Sequence, residues 1–147
     1  MSAVVASSFE SVLADVQAEL VAVSLDYAGE APSDAFIYCS LEEHFLVFNV
    51  FFIVDGQVVK KHKVPDADTS FDQQDRLLDY GQAQLQRLVD AGAEFGRSVP
   101  TEIKMHYVVA SRSLDADYKY DLQYTNDDSL HSSDIFQRWQ DEVSAAL

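Results

Sequence analysis

The ten residues from Phe45 to Val54, apolar except for Asn49, constrain the fold more than any other segment of the chain. Successive side chains of a β-strand point to opposite faces of its sheet. A strand that is apolar on both faces is usually central and covered on both sides, or it is covered by the core on one side and by a partner on the other. Asp55 and Gly56 follow, and this dipeptide favours a two-residue hairpin because both positions accept a positive φ. The pattern predicts a returning strand from Gln57 to Val64.

Three helices are predicted from apolar spacing and capping residues. The first begins with a capping box, in which Ser7 is followed by Glu10 three residues later, and should end at about Val21 or a little beyond. The second runs from about Ser70 to Phe95, and the third begins near Ser132 or Ser133. The apolar face predicted for the second helix comprises Phe71, Leu77, Leu78, Leu85, Leu88 and Val89.

Three further segments have strand patterns. Ala35–Ser40 is rich in aromatic residues, and in Ile103–Val109 every second side chain is apolar. Tyr118–Tyr124 alternates between aromatic or apolar and polar residues, which is typical of a half-buried antiparallel strand. The chain of 147 residues should form one α+β domain over residues 1–147, with the order α-β-β-β-α-β-β-α. We expect an antiparallel sheet of about five strands with helices packed against it in a single pair of layers.

The charge balance is strongly acidic, with 25 Asp and Glu against 10 Lys and Arg and a net charge of −15. No Lys or Arg precedes Lys60. A field of this sign repels nucleic acid and anionic membranes and attracts basic proteins, although many acidic proteins are merely soluble. The start of the sequence lacks the cationic and apolar segments of a signal peptide, and the longest apolar run is too short to cross a membrane. These features predict a cytoplasmic protein.

Patterns that carry catalytic or metal chemistry are missing from the sequence. The four histidines have no metal-ligand spacing, and Cys39 lies in an apolar segment, as a buried residue would. The paired carboxylates Glu42-Glu43 and Asp127-Asp128 are interpreted as solvated turns, because adjacent residues do not face each other across a cleft. We therefore expect no enzyme activity, no cofactor and no bound metal.

The second predicted helix carries a stripe of aspartates opposite its apolar face, formed by Asp72, Asp75, Asp79 and Asp90. Aspartate is a poor helix former, so a face needed only for solubility would seldom be built from it. A solvated face is the simpler interpretation, and a docking surface for a cationic protein is the alternative. The candidate partner-binding residues are Asp72, Asp75, Asp79, Asp121, Asp127 and Asp128.

Short motifs in the sequence resemble those of the YezG-like family, which are immunity proteins to bacterial polymorphic toxins. The resemblance rests on the segment Tyr118–Tyr124, on Asn126-Asp127-Asp128, and on Arg138-Trp139 in the last helix. Upstream, an aromatic strand precedes Asp55-Gly56, and Val64-Pro65-Asp66 precedes a long helix. The resemblance implies a non-enzymatic protein that sequesters a cognate toxin, in several cases a basic nuclease, by presenting carboxylates where phosphates would lie.

A second hypothesis is an acidic secretion chaperone, since such proteins are similar in size and in the order of their elements. They dimerise and bind an extended effector segment in apolar grooves. The apolar strand Phe45–Val54 could supply the groove or a dimer surface. The state of the partner separates the hypotheses, because an immunity protein binds a folded toxin domain and a chaperone binds an unfolded segment.

Overall fold

A computed structural model describes residues 8–43 and 45–147. The described elements follow the predicted order of helices and strands. They are α1 (Phe9–Ala28), β1 (Asp34–Glu42), β2 (Phe45–Val54), β3 (Gln57–Lys60), α2 (Phe71–Phe95), β4 (Glu102–Val108), β5 (Ser113–Lys119) and α3 (Ser132–Ala146). The five strands form one sheet in the order β3-β2-β1-β4-β5, and every neighbouring pair is antiparallel. The predicted α+β fold with a five-stranded antiparallel sheet is confirmed.

Helices cover both faces of this sheet, which adds a third layer to the pair predicted from the sequence. Side chains of α1 and α2 pack with alternate residues of β1 and β2, such as Ile37 and Phe52, in the main core. On the opposite face Trp139 of α3 makes edge-on contacts with the rings of Phe36 and Phe51, at 5.7 and 5.1 Å between ring centroids. The strand Phe45–Val54 is therefore covered on both sides over most of its length, as its composition requires.

The hairpin between β2 and β3 forms as predicted, with positive φ at both Asp55 (51°) and Gly56 (76°). The prediction that β3 reaches Val64 is wrong, because residues Lys61–Lys63 form a short 3-10 helix. The carbonyl of Lys61 accepts a hydrogen bond from the Tyr27 hydroxyl at 2.8 Å, so it turns away from the strand ladder.

The first helix runs to Ala28, two turns beyond the predicted end near Val21. Its last turns bury Ser24 and Ala28, and the Ser24 hydroxyl is satisfied by the Leu20 carbonyl at 2.7 Å. The predicted cap Ser7 lies outside the described residues. Ser8 caps the helix and accepts a hydrogen bond from the Ser11 amide.

The second helix is capped by Ser70 as predicted and ends at Phe95, followed by the C-cap Gly96 in the left-handed conformation. Phe71, predicted to lie on the apolar face, is 84% exposed as the first residue of this helix. It precedes the first turn that packs on the sheet, so the prediction for this residue is wrong.

The last strand differs most from its prediction, since β5 spans Ser113–Lys119 and not Tyr118–Tyr124. Strand β4 begins at Glu102, which pairs with Lys119, so residues after 119 have no strand beside them. Pro100 lies just before β4 and has no amide hydrogen to extend the ladder. Residues 120–131 therefore leave the edge of the sheet and form a loop that leads into α3.

Candidate protein-binding site

The loop between β5 and α3 lies beside the start of β2, and together they form a groove of about 340 Å³. Its walls combine apolar side chains with two carboxylates. The lining residues are Phe45, Val47, Tyr124, Thr125, Asp127, Asp128, Leu130, His131 and Ser132. The groove thus contains two of the six carboxylates that the sequence analysis proposed for partner binding.

Glu42 fixes the loop to the sheet. Its carboxylate is 1% exposed at the end of β1 and accepts hydrogen bonds from the amides of Gln123 (2.9 Å), Tyr124 (3.3 Å) and Thr125 (3.2 Å), and from the Thr125 hydroxyl (2.9 Å). The prediction that Glu42 belongs to a solvated turn is wrong, while its neighbour Glu43 is exposed with a φ of 43°. A buried carboxylate with several donors forms strong charge-assisted bonds, so the loop has a defined position.

Tyr124 provides the second anchor of the loop. Its ring is buried, and its hydroxyl and that of Ser40 form a hydrogen bond at 2.7 Å. Burial is the main cause that raises the pKa of Tyr124, so the phenol stays neutral at physiological pH. The aromatic alternation in Tyr118–Tyr124 therefore begins at the end of β5 with Tyr118 and ends with this anchor in the loop.

The two carboxylates in the groove have different surroundings. Asp127 accepts hydrogen bonds at Oδ1 from the Ser129 hydroxyl (2.7 Å) and the Ser129 amide (2.9 Å). These bonds favour the ionised form and lower the pKa of Asp127. Asp128 is exposed, and no hydrogen bond or ion pair holds its side chain within the described residues. One carboxylate is thus preorganised and the other is free to follow a ligand.

Phe45 is the apolar anchor of the groove, and it is 66% exposed. It pairs with Glu42 in the sheet, so both side chains point to the face that the loop covers. Val47 and Leu130 lie beside it in the groove and are half-buried. An aromatic ring this exposed contributes little to the fold, and together with Val47 and Leu130 it gives the groove an apolar wall.

The predicted stripe on α2 is a separate surface. Asp72, Asp75 and Asp79 are all exposed, and Arg76 stands four residues after Asp72, although no ion pair joins them among the described residues. Helix α2 packs on the face of the sheet opposite to the groove, where Gly81 lies against Phe48. The stripe and the groove therefore lie on opposite sides of the sheet.

Asp121, the remaining predicted residue, is exposed in the loop but does not line the groove. Its backbone carbonyl accepts hydrogen bonds from the Thr101 hydroxyl (2.6 Å) and the Gln123 side chain (2.8 Å). Its carboxylate also accepts from Gln123 at 3.2 Å. Asp121 therefore helps to hold the start of the loop.

Groups with catalytic or metal-binding potential are sparse in the described part of the chain. His106 Nε2 lies 2.6 Å from Asp34 Oδ2, and its ring stacks on Phe36 at 4.2 Å between centroids. Within residues 8–43 and 45–147, no group of three or more potential ligands is arranged to hold a metal ion. Cys39 is fully buried, as predicted, and burial raises the pKa of its thiol. No described helix has the length and apolar content needed to cross a membrane.

Sequence reasoning named Asp127 and Asp128 but missed Phe45, Leu130 and the buried Glu42. The local pattern predicts only that Phe45 lies in a strand, because its exposure depends on where the loop and the helices stop covering the sheet. A signal was present, since Phe45 is the first residue of the apolar run and follows the acidic turn Glu42-Glu43. Searches of protein-family models and of curated proteins with this chain found no match, so the YezG-like resemblance stays a prediction.

Proposed function

We propose that this protein is a non-enzymatic acidic binding protein that acts in the cytoplasm and neutralises a cationic toxin domain, as the YezG-like resemblance implies. The observation that carries the proposal is the groove in which the exposed ring of Phe45 lies beside the carboxylates of Asp127 and Asp128. An apolar anchor with a charged rim is the usual composition of a protein-binding hot spot.

The chemistry of the groove favours an arginine or lysine side chain of the partner. The aliphatic part of such a side chain can lie on Phe45 and Leu130, while its charged end reaches Asp128 or Asp127. An arginine can also stack its guanidinium on the ring of Phe45. The net charge of −15 acts over a longer range and speeds the encounter with a basic partner.

The chaperone hypothesis required an open apolar face along Phe45–Val54. Helices α2 and α3 cover this strand on its two faces, and from Phe48 onward its side chains are buried apart from the half-buried Asn49. Only the beginning of the strand reaches the surface. This geometry supports recognition of a folded domain over capture of an extended apolar segment.

The proposal can be tested with the toxin domain that co-purifies with the protein from its native host. We expect the folded domain to bind with a defined stoichiometry and to lose its toxic activity when saturated. The double variant Phe45→Ala/Asp128→Asn should weaken binding by about tenfold or more, because it removes the anchor and one carboxylate.

Phe71 and Asp72 offer a matched control, since they are also an exposed phenylalanine and an exposed aspartate. The variant Phe71→Ala/Asp72→Asn should retain affinity within about threefold if the groove is the main site. A larger loss for the control than for the groove variant would place recognition on α2. A saturated toxin domain that keeps its full activity would refute the immunity function.

A further inference from the structure

Within the part of the chain that the structure describes, the outer edge of β5 is a free strand edge. Strand β5 hydrogen-bonds to β4 on one side, and no described strand lies on the other. Six of its seven residues are exposed, and only Ala116 is half-buried. Such an edge presents unpaired backbone donors and acceptors to any extended chain that approaches it.

The opposite edge of the sheet shows how this chain protects a strand edge. Strand β3 has only four residues, ends at Lys60 and turns at once into a 3-10 helix. Lys60 also donates a hydrogen bond to Gln137 of α3 at 3.1 Å. Strand β5 is seven residues long, contains no proline and has no element over its edge among the described residues. Among the described residues, the edge of β5 is protected only by the charged side chains of Asp115, Asp117 and Lys119.

The two faces of β5 differ in character. Leu114 and Tyr118 point to the face covered by α1 and are 37% and 39% exposed. Gln17 of α1 donates a hydrogen bond to the Tyr118 hydroxyl, which holds this ring at the rim. Asp115 and Asp117 point to the other face and are exposed, with Lys104 of β4 directly opposite Asp117. An added strand would find an apolar row on one face, and on the other face the two carboxylates followed by Lys119 at the end of the strand.

These charges oppose pairing with a second copy of the chain. Antiparallel self-pairing centred on Ala116 uses the whole strand and sets Asp115 of each copy directly opposite Asp117 of the other. Like charges in directly opposite positions destabilise a strand pair. A strand that carries lysine or arginine at alternate positions would gain from the same two carboxylates.

We propose that β5 accepts an extended, basic strand of the partner protein, with cationic side chains facing Asp115 and Asp117 and apolar side chains facing Leu114 and Tyr118. This inference rests on the proposed function, since it specifies the chemistry of the cationic partner. Backbone hydrogen bonds would supply affinity, and the alternation of charge would supply specificity.

A blocked heptapeptide of alternating lysine and valine is the probe. We expect it to slow hydrogen exchange of amides in β5 and to shift their NMR signals, while β3 is unaffected. A peptide of the same composition with its lysines and valines in two separate blocks should bind at least about fivefold more weakly, because it cannot match both faces. Equal binding of the two peptides would show attraction to charge alone and would overturn the proposal.

A charge exchange provides the decisive control. The variant Asp115→Lys/Asp117→Lys should lose the lysine–valine peptide and gain an alternating glutamate–valine peptide. The variant Asp72→Lys/Asp75→Lys changes the net charge equally on the surface of α2 and should keep the original preference. If both variants respond alike, the edge is not the binding site.

Sedimentation of the peptide-free protein tests the competing occupant. A dimer whose β5 amides are already protected, and which dissociates in the Asp115→Lys/Asp117→Lys variant, would show that a second copy occupies the edge. Loss of peptide binding with intact toxin neutralisation would refute only this inference. Peptide binding at β5 without neutralisation of any toxin domain would refute the proposed function and leave the edge site standing.

Discussion

At the scale of single residues, the position of the groove depends on one buried carboxylate. Glu42 accepts four hydrogen bonds from residues 123–125, more than any neutral side chain at this position could accept. Among the described residues no Lys or Arg forms an ion pair with Glu42, so its direct partners are these backbone amides and one hydroxyl. The geometry of the loop is thereby tied to a single side chain.

We therefore expect Glu42→Gln to lower the free energy of unfolding by about 2–3 kcal/mol, because hydrogen bonds to a charged acceptor are replaced by weaker ones. In addition, the NH2 group of the glutamine would face the hydrogen-bond donors of the loop. Urea denaturation measures the change. The adjacent Glu43→Gln is the control and should change stability by less than about 0.5 kcal/mol, since Glu43 is exposed. Equal effects of the two variants would contradict the role of Glu42.

Glu102 should make stability depend on pH. It is 2% exposed, and burial raises the pKa of its carboxyl, an effect that Lys104 and Lys119 offset in part. The pKa of Glu102 is higher in the folded state than in the unfolded state, so the folded protein binds this proton more tightly. Protonated Glu102 therefore stabilises the fold at low pH. This contribution is lost as the pH rises from about the ordinary value of 4.5 through the folded pKa. The free energy of unfolding of the native protein relative to Glu102→Gln should therefore fall as pH rises from 4 to 7. A difference that stays constant over this range would show that Glu102 does not titrate in the window.

At the scale of elements, the contact between α2 and β2 depends on a glycine. A Cβ atom on Gly81 would lie 2.1 Å from Cδ2 of Phe48, much closer than two carbon atoms can approach. Gly81→Ala should gain about 1 kcal/mol in helix propensity and lose about 1–3 kcal/mol or more from overpacking. We expect a net loss of stability in thermal or urea unfolding.

The exposed Ala83 of the same helix gives the propensity term separately. Ala83→Gly should cost about 1 kcal/mol, since no packing changes at this position. If Gly81→Ala instead stabilises the protein by a similar amount, α2 can move away from β2 without loss, and the close contact has no energetic importance.

The elements that could be predicted from the sequence are those whose signals are local. The boundaries of β2, its Asp55-Gly56 turn and both ends of α2 depend on adjacent residues, and the structure places them as expected. The position of β5 depends on where its partner β4 begins, which no local pattern in Tyr118–Tyr124 reveals. The same holds for the groove, because Phe45 and Leu130 are far apart in sequence and meet only when Glu42 and Tyr124 anchor the loop.

At the scale of the whole molecule, the excess negative charge is spread over separate surfaces. The stripe of α2, the groove and the edge of β5 lie on different parts of the sheet assembly, and each presents exposed carboxylates. Several cations are already engaged within the fold, as in the ion pairs Arg87–Asp15 and Arg97–Glu10. The remaining carboxylates repel one another, and their combined field favours a basic partner over any acidic one.

Salt should therefore act in opposite directions on folding and on binding. Raising ionic strength from about 0.01 to 0.15 M shortens the Debye length from about 30 to 8 Å, which screens repulsion among the carboxylates and attraction to the proposed cationic partner alike. We expect the melting temperature to rise and the association rate with the proposed toxin domain to fall over this range.

Changing Asp72, Asp75 and Asp79 together to Asn removes charge without touching the groove, so at low salt it should leave the melting temperature unchanged or slightly raised. If the stripe takes part in recognition, the same variant will also bind more weakly and depend less on salt; if it is only a solvated face, affinity will stay the same. A melting temperature that falls with added salt, together with an association rate that does not change, would mean that the net charge governs neither stability nor the choice of partner.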